Sequence, residues 1–197
     1  CLFVDNESHF AAAVRGTALT RIYNSTFSGN KTHHYTESGA LLLGGPARIA
    51  NSTIVGNSGF TSGGLYVQLA SDTQVVNTLI ANNTGTSPDI SGRVYSHGYN
   101  LIRNRTGAQV EGNLAGTDIY DTDPRLSALA NNGGATLTMA LQADSPALNA
   151  GSECVLAING CGEYPHLSLT TDQRGSGYSR ARGLHVDIGA FELTQPD

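Results

Sequence analysis

The sequence predicts an all-β chain wound as a solenoid of stacked parallel coils, and three observations predict it. A phrase made of an apolar residue, a turn and an asparagine recurs at Phe3-Val4-Asp5-Asn6, Phe27-Ser28-Gly29-Asn30, Ile54-Val55-Gly56-Asn57 and Ile80-Ala81-Asn82-Asn83, at intervals of 24, 27 and 26 residues. A fixed period of that size marks stacked structural repeats. Each copy also carries short runs rich in Val, Ile, Leu, Thr and Tyr, separated by Gly, Asn, Ser and Pro, which is the punctuation of strands and turns. No helical period is sustained over residues 1–107.

The elements of one coil follow in order. Ahead of the phrase stand Ile22-Tyr23-Asn24, Ile49-Ala50-Asn51 and Val75-Val76-Asn77, so that Asn24, Asn51 and Asn77 form a second asparagine register. Behind it come Ser38-Gly39-Ala40-Leu41-Leu42 and Gly63-Gly64-Leu65-Tyr66-Val67, aligned at a spacing of 25. Propeller blades need roughly 40–50 residues and leucine-rich repeats a different core pattern. Three short strands in about 25 residues fit one rung of a three-faced coil that rises about 4.8 Å. The fold expected is a right-handed, single-stranded parallel β-helix with a C-terminal capping region.

In such a helix inward side chains stack on their equivalents above and below. Phe3, Phe27, Ile54 and Ile80 make one apolar ladder, and alternation along the strand puts Cys1, Ser25, Ser52 and Thr78 on the same face. Asn30, Asn57 and Asn83 fall at a turn, where asparagine tolerates left-handed backbone and its amide reaches the next rung. The first copy starts at Cys1, so further β-helix coils N-terminal to it are expected as partners. A fifth phrase, Leu101-Ile102-Arg103-Asn104, closes the periodic part.

Charge narrows the function classes. The chain has a net charge of −5, only 14% charged residues and a single lysine, Lys31. That removes the basic footprint of nucleic-acid binding. No stretch approaches the apolar length of a membrane span. Cys154 and Cys161 bracket a short loop of turn formers and are expected to pair as a disulfide.

After residue 107 the period fades. Residues 108–197 read as the final coil or coils and a C-terminal cap belonging to the same domain as the coils of 1–107. The series Asp123-Pro124-Arg125-Leu126, Asn131-Asn132-Gly133-Gly134, Ser145-Pro146-Ala147-Leu148-Asn149, Thr171-Asp172-Gln173-Arg174-Gly175 and Asp187-Ile188-Gly189-Ala190-Phe191-Glu192 runs to the end. An open solenoid end exposes unpaired backbone groups and apolar rungs, so a cap over it is expected, with Arg174 bridging Asp172 or Asp187.

The closing series resembles the C-terminal module of bacterial surface-exposed β-helix proteins known as choice-of-anchor Q domain proteins. The repeats are similar to the G-G-[AILV]-[ILVY] and F-x-x-N motifs of the polymorphic outer-membrane adhesin family, with Ile54 and Ile80 for Phe and Ser38 for the first Gly. The resemblance implies a secreted or cell-surface, bacterial extracellular protein with a pectin-lyase-like β-helix, and implies no catalytic residues.

Catalytic constellations are sparse. Glycosidases need two carboxyl groups roughly 5–9.5 Å apart, yet no acidic pair recurs in register, and the galacturonase pattern is present only as Ser96-His97-Gly98. A fold-back of Gly85–Gly98 that brings Asp89 and His97 beside Asp72 would revive catalysis. Asp118, Asp121 and Asp123 read as a polar turn, and His33-His34 as a solvated loop, because adjacent strand residues point to opposite faces. Gly175-Ser176-Gly177 lacks the context of a nucleotide loop. Asn24, Asn30, Asn51, Asn82 and Asn104 begin glycosylation sequons.

The expectation is therefore a non-enzymatic extracellular or cell-surface module, adhesin-like or structural, without a cofactor. It would present turns such as Lys31–Glu37 and Gly85–Gly98 to a glycan or a cell-surface protein. The alternative is a polysaccharide lyase or glycoside hydrolase of the pectin-lyase-like fold.

Overall fold

The computed structural model describes residues 1–9, 13–33, 38–68, 71–112, 116–162, 165–166 and 168–194. The chain is nearly all-β, a solenoid of about four turns with parallel strands stacked coil on coil. One face stacks β1 (Leu2–Val4), β5 (Thr26–Ser28), β9 (Thr53–Val55), β12 (Leu79–Ala81), β14 (Leu101–Ile102) and β16 (Ile119–Tyr120). A second stacks β3 (Val14–Gly16), β7 (Leu41–Leu43) and β10 (Leu65–Val67). A third stacks β4 (Thr20–Tyr23), β8 (Ala47–Ala50) and β11 (Thr73–Val76). The seven-residue strand β13 (Ile90–Ser96) joins the second and third faces, pairing with β10 at its start and β11 at its end. Gly85–Gly98, expected as a turn, is thus half strand. Of Lys31–Glu37, residues 34–37 lie outside the described residues; Lys31 and Thr32 form β6 (Lys31–Thr32), paired with β2 (Glu7–Ser8).

The apolar ladder is in register across the first face: Phe3 pairs with Phe27, Phe27 with Ile54 and Ile54 with Ile80, while the fifth phrase is shifted by one, Ile80 pairing with Ile102 rather than with its expected lead Leu101. Phe3 and Phe27 stack with ring centroids 4.6 Å apart. Ile22, Ile49 and Val75 from the third face and Leu41, Leu65 and Ile90 from the second complete one core. The second face corrects one expected register. Leu41 pairs with Leu65 and Ser38 with Ser62, a spacing of 24 rather than 25. A slip of one residue would have turned Tyr66 into the core and Leu65 out of it.

The two asparagine registers divide the work of the corners. Asn24, Asn51 and Asn77 take left-handed backbone, with φ of 45, 45 and 46°. Asn30, Asn57 and Asn83 do not, contrary to expectation. The residues before them do, with Gly29, Gly56 and Asn82 at φ of 70, 72 and 58°, as does Asp5, before Asn6, at 51°. That frees Asn30, Asn57 and Asn83 to point inward as a buried amide ladder. Each Nδ2 donates back to the preceding coil, to the carbonyls of Phe3, Phe27 and Ile54, and forward to the next acceptor. The forward acceptors are Asn57 Oδ1, Asn83 Oδ1 and Asp89 Oδ1. The column begun by Ser25, Ser52 and Thr78 ends similarly: Asn100 Oδ1 accepts from Thr78 N, and Asn100 Nδ2 donates to the buried Asp118. Asp118 is therefore a structural acceptor, while Asp121 and Asp123 pair with Arg105 and Arg103 at the surface. Cys1, expected in the inward position of that column, is exposed, its amino group held by Asn24 O and Ser25 Oγ.

Parallel pairing ends at Tyr120, and the rest of the chain corrects the expected cap. It runs as a strap along the flank of the solenoid rather than over its end. An antiparallel hairpin of β17 (Leu126–Ala130) and β18 (Thr138–Leu141) leads into a 3-10 turn at Glu153–Leu156 and an irregular tail. Leu141, Ala147 and Ile188 cover Val55, Leu79, Ala81 and Leu101, the outward residues of the first face. Val155, Cys161, Leu169 and Val186 cover Ala50 and Val76. The polar contacts visit successive coils. Asn24 Nδ2 donates to Thr171 O at 2.8 Å, Ala190 N to Thr53 Oγ1 at 2.9 Å, and Ser152 N to Asn77 Oδ1 at 2.9 Å. Gly189, at φ 110°, lies where a β-carbon would stand 2.9 Å from Thr53 Oγ1, so the close approach needs glycine.

A buried ionic cluster holds the strap. Arg174 grips Asp172, with Nη2 to Oδ2 at 2.6 Å and Nε to the same oxygen at 3.0 Å, and lies between the rings of Tyr178 and Phe191, 4.0 Å from each centroid. Its bridge is to Asp172, not Asp187. Asp187 instead accepts from Asn149 N and Leu193 N and neighbours Arg180 and Glu192. Arg180, fully buried, approaches Glu192 at 3.5 Å and donates to Asn24 Oδ1. Three carboxyls face two guanidiniums, so one acid is in excess. Burial together with the Asp187 charge, outweighing Arg180, pushes Glu192 up to about 8. Cys154 and Cys161 form a disulfide with Cα atoms 4.9 Å apart.

Candidate functional site

The strap covers the first face and the Tyr23, Ala50 and Val76 margin of the third, leaving the centre of the third face open. There the outward register is Arg21, Arg48, Gln74 and Tyr95. Inward Ile22, Ile49 and Val75 belong to the core, so alternation forces these polar side chains outward. Arg48 Nη2 meets Asp72 Oδ2 at 2.8 Å, and Gln74 Nε2 donates to Asp72 Oδ1 at 3.1 Å. Arg93 lies 5.3 Å from the Tyr95 ring and 4.0 Å from Glu111, which extends the row on β15 (Ala108–Glu111). Asp72, Gln74, Arg93, Tyr95 and His97 line a recess of about 470 Å³.

His97 follows β13 and closes that recess. Its backbone N–H donates to Val75 O at 2.9 Å, and its Nε2 lies 3.0 Å from Gln74 Oε1. Burial, then the Arg48 charge, hold the imidazole below its usual range against the pull of Asp72. His97 also lines a second recess of about 480 Å³, with Tyr99, Thr117 and the Cys154–Cys161 disulfide loop. The strap thus builds one wall of the site. Tyr99, at φ 59°, holds left-handed backbone that bulky residues seldom adopt.

Of the residues singled out in the sequence, His97 and Asp72 do come to the same recess. Asp89 does not. It is buried at the opposite corner, accepting from Asn83 Nδ2 and from Asn104 N. His33 pairs with Glu7 at 2.5 Å across β2 and β6, and His34 lies outside the described residues. Gly175-Ser176-Gly177 is a strap loop. Among the sequons, Asn30 and Asn51 are buried and Asn24 is bonded to the strap, whereas Asn82 and Asn104 are exposed. Gln74, Arg48, Arg93 and Tyr95 were not singled out, although polar residues at the outward parity of successive β strands were the available signal.

Among the described residues no group of three or more His, Cys, Asp or Glu is placed to hold a metal ion, and no helix is long and apolar enough to cross a membrane. Comparison with protein-family models, curated proteins and solved structures returned no match. A fold does not fix a function, and here the function rests on the chemistry of the site. That chemistry combines two guanidiniums, each beside a carboxylate, with an amide, a neutral-leaning imidazole and tyrosine rings. Such a set is suited to hydrogen bonding and ring contact.

Proposed function

We propose that the protein is a non-enzymatic extracellular or cell-surface β-helix module, adhesin-like or structural, that holds a partner against the open centre of its third face. One observation carries the reading: Asp72, the carboxylate lining the recess, is committed to Arg48 and Gln74. A rigid stack of strands presents such groups with little loss of side-chain freedom, as recognition surfaces require. The Cys154–Cys161 disulfide supports an oxidising, extracellular location. The likeness of the closing series to choice-of-anchor Q modules, and of the repeats to outer-membrane adhesins, supports a bacterial surface setting and a glycan or cell-surface protein as partner.

A second reading, a polysaccharide lyase or glycoside hydrolase, draws on His97. An imidazole held below its usual range is available as a base at neutral pH. Incubation with pectin, alginate and other uronate polymers separates the two. The module binds a glycan array or cell surfaces and releases no product. Chain cleavage abolished by His97→Ala overturns the non-enzymatic reading.

A further inference from the structure

We infer that the two recesses meeting at His97 form one binding site for an uncharged oligosaccharide, an inference that rests on the proposal that this flank holds a partner. Each recess, at about 470 and 480 Å³, lies within the size range of small-ligand sites, and His97 belongs to both walls. A chain ligand can therefore pass from one to the other without leaving the surface.

Charge selects among chain ligands. Arg48 is bonded to Asp72 at 2.8 Å, and Arg93 stands 4.0 Å from Glu111. A polyanion entering here meets two carboxylates beside the cations it seeks, and has to displace them. An uncharged polyol faces no such conflict. Its hydroxyls each donate and accept, and the lining carries both kinds of atom: the Asp72 oxygens, though bonded to Arg48 and Gln74, have lone pairs left to accept, and the Gln74 amide holds a donor and an acceptor. Burial, then the Arg48 charge, hold the His97 imidazole below its usual range, which favours its uncharged form.

The second recess supplies the other half of sugar chemistry. Tyr99, Gly160, Gly162 and the disulfide give it apolar walls, which suit the C–H faces of a pyranose ring. Tyr99 reaches its place on left-handed backbone, fixed by its N–H donating to Thr117 Oγ1 at 3.1 Å. Strained backbone of this kind persists where the surroundings over-determine it, and it is concentrated at ligand sites.

The test uses the full chain on a printed glycan array, followed by calorimetric titration with cellohexaose, xylohexaose, mannohexaose and trigalacturonate. The expected result is saturable binding of at least one uncharged hexaose, little changed by salt, and weakened about tenfold by His97→Ala and by Gln74→Ala. Both side chains are part-exposed, and thermal melts of the variants confirm folding. Tighter, salt-sensitive binding of trigalacturonate overturns the inference. So does cell-surface binding that uncharged glycans do not block and that both variants retain, an outcome pointing to a protein partner and leaving the module reading in place. Absence of binding to both array and cell surfaces removes the module reading together with the site.

Discussion

Asn83 passes the last amide of the inner ladder to Asp89, Nδ2 to Oδ1 at 2.9 Å. Every amide above it donates to another amide oxygen, so donation runs in one direction from Asn30 towards Asn83. A ladder with a direction needs a final group that only accepts. Asp89 is that group, and its second oxygen takes the Asn104 N–H at 2.8 Å. Desolvation raises its pKa while these donated hydrogen bonds oppose the rise, which is the balance expected of a buried structural carboxylate.

The ladder predicts the cost of breaking it. Asn57 is fully buried, donates to Phe27 O and Asn83 Oδ1, and accepts from Asn30 N and Nδ2. Asn57→Leu leaves those partners unsatisfied in a buried position, at a cost of about 3–5 kcal/mol. Urea unfolding measures it. An unchanged midpoint would mean that the ladder is hydrated and contributes little.

How far the sequence carried is visible at these same positions. Phe27, Ile54 and Ile80 were legible because one apolar type at one spacing has only one stacking solution. Asp89 was not, since it sits six residues beyond Asn83, off the period and of another residue type. The side-on strap was hidden for a different reason: its own residues have no period. Its trace lay in the strands it covers. Leu79-Ile80-Ala81 is apolar at every position and wholly buried, and such a run means cover on both faces. The open third face alternates, as Arg48-Ile49 and Gln74-Val75 show, a contrast that marks the uncovered face although its polar residues were not singled out. The joining of His97 to the disulfide loop depends on the strap's path and was beyond local pattern.

Thiol chemistry checks the covalent part of the strap. Cys1 is exposed and free, while Cys154 and Cys161 are bonded. Labelling of native, unreduced protein should modify Cys1 alone. Closing so short a loop stabilises by about 2–3 kcal/mol in the chain-entropy picture, so Cys154→Ser with Cys161→Ser should lower the melting temperature. Native labelling of all the cysteines would exclude the bridge.

Arg174 offers a test of the ionic clamp. Arg174→Lys keeps the charge but loses the double contact to Asp172 and the planar stack between Tyr178 and Phe191. A loss of about 2–3 kcal/mol is expected. Hydrogen exchange should quicken at Gln173 and Ala190, whose amides tie the strap to itself and to Thr53. Equal stability of the two proteins would show that the clamp acts through charge alone.

The excess acid of the cluster makes the strap sensitive to alkali. Glu192 is buried, its Oε1 makes no hydrogen bond, and its Oε2 accepts from Asp187 N at 3.1 Å. Burial and the Asp187 charge, opposed by Arg180, raise its pKa from 4.5 to about 8. Between those values the folded chain holds a proton that the unfolded chain has released. The stability linked to that proton is complete below pH 4.5 and is lost as the pH rises to about 8. Within the window its slope approaches about 1.4 kcal/mol per pH unit. Glu192→Gln imitates the protonated acid, with its amide oxygen able to take the Asp187 N–H and no charge left to titrate. Unfolding free energies of the two proteins, measured from acid to alkaline pH, should therefore diverge as the pH rises, the variant holding its stability where the wild type declines. Parallel curves would show that Arg180 keeps Glu192 ionised throughout, and that the cluster carries its net negative charge at every pH of the window.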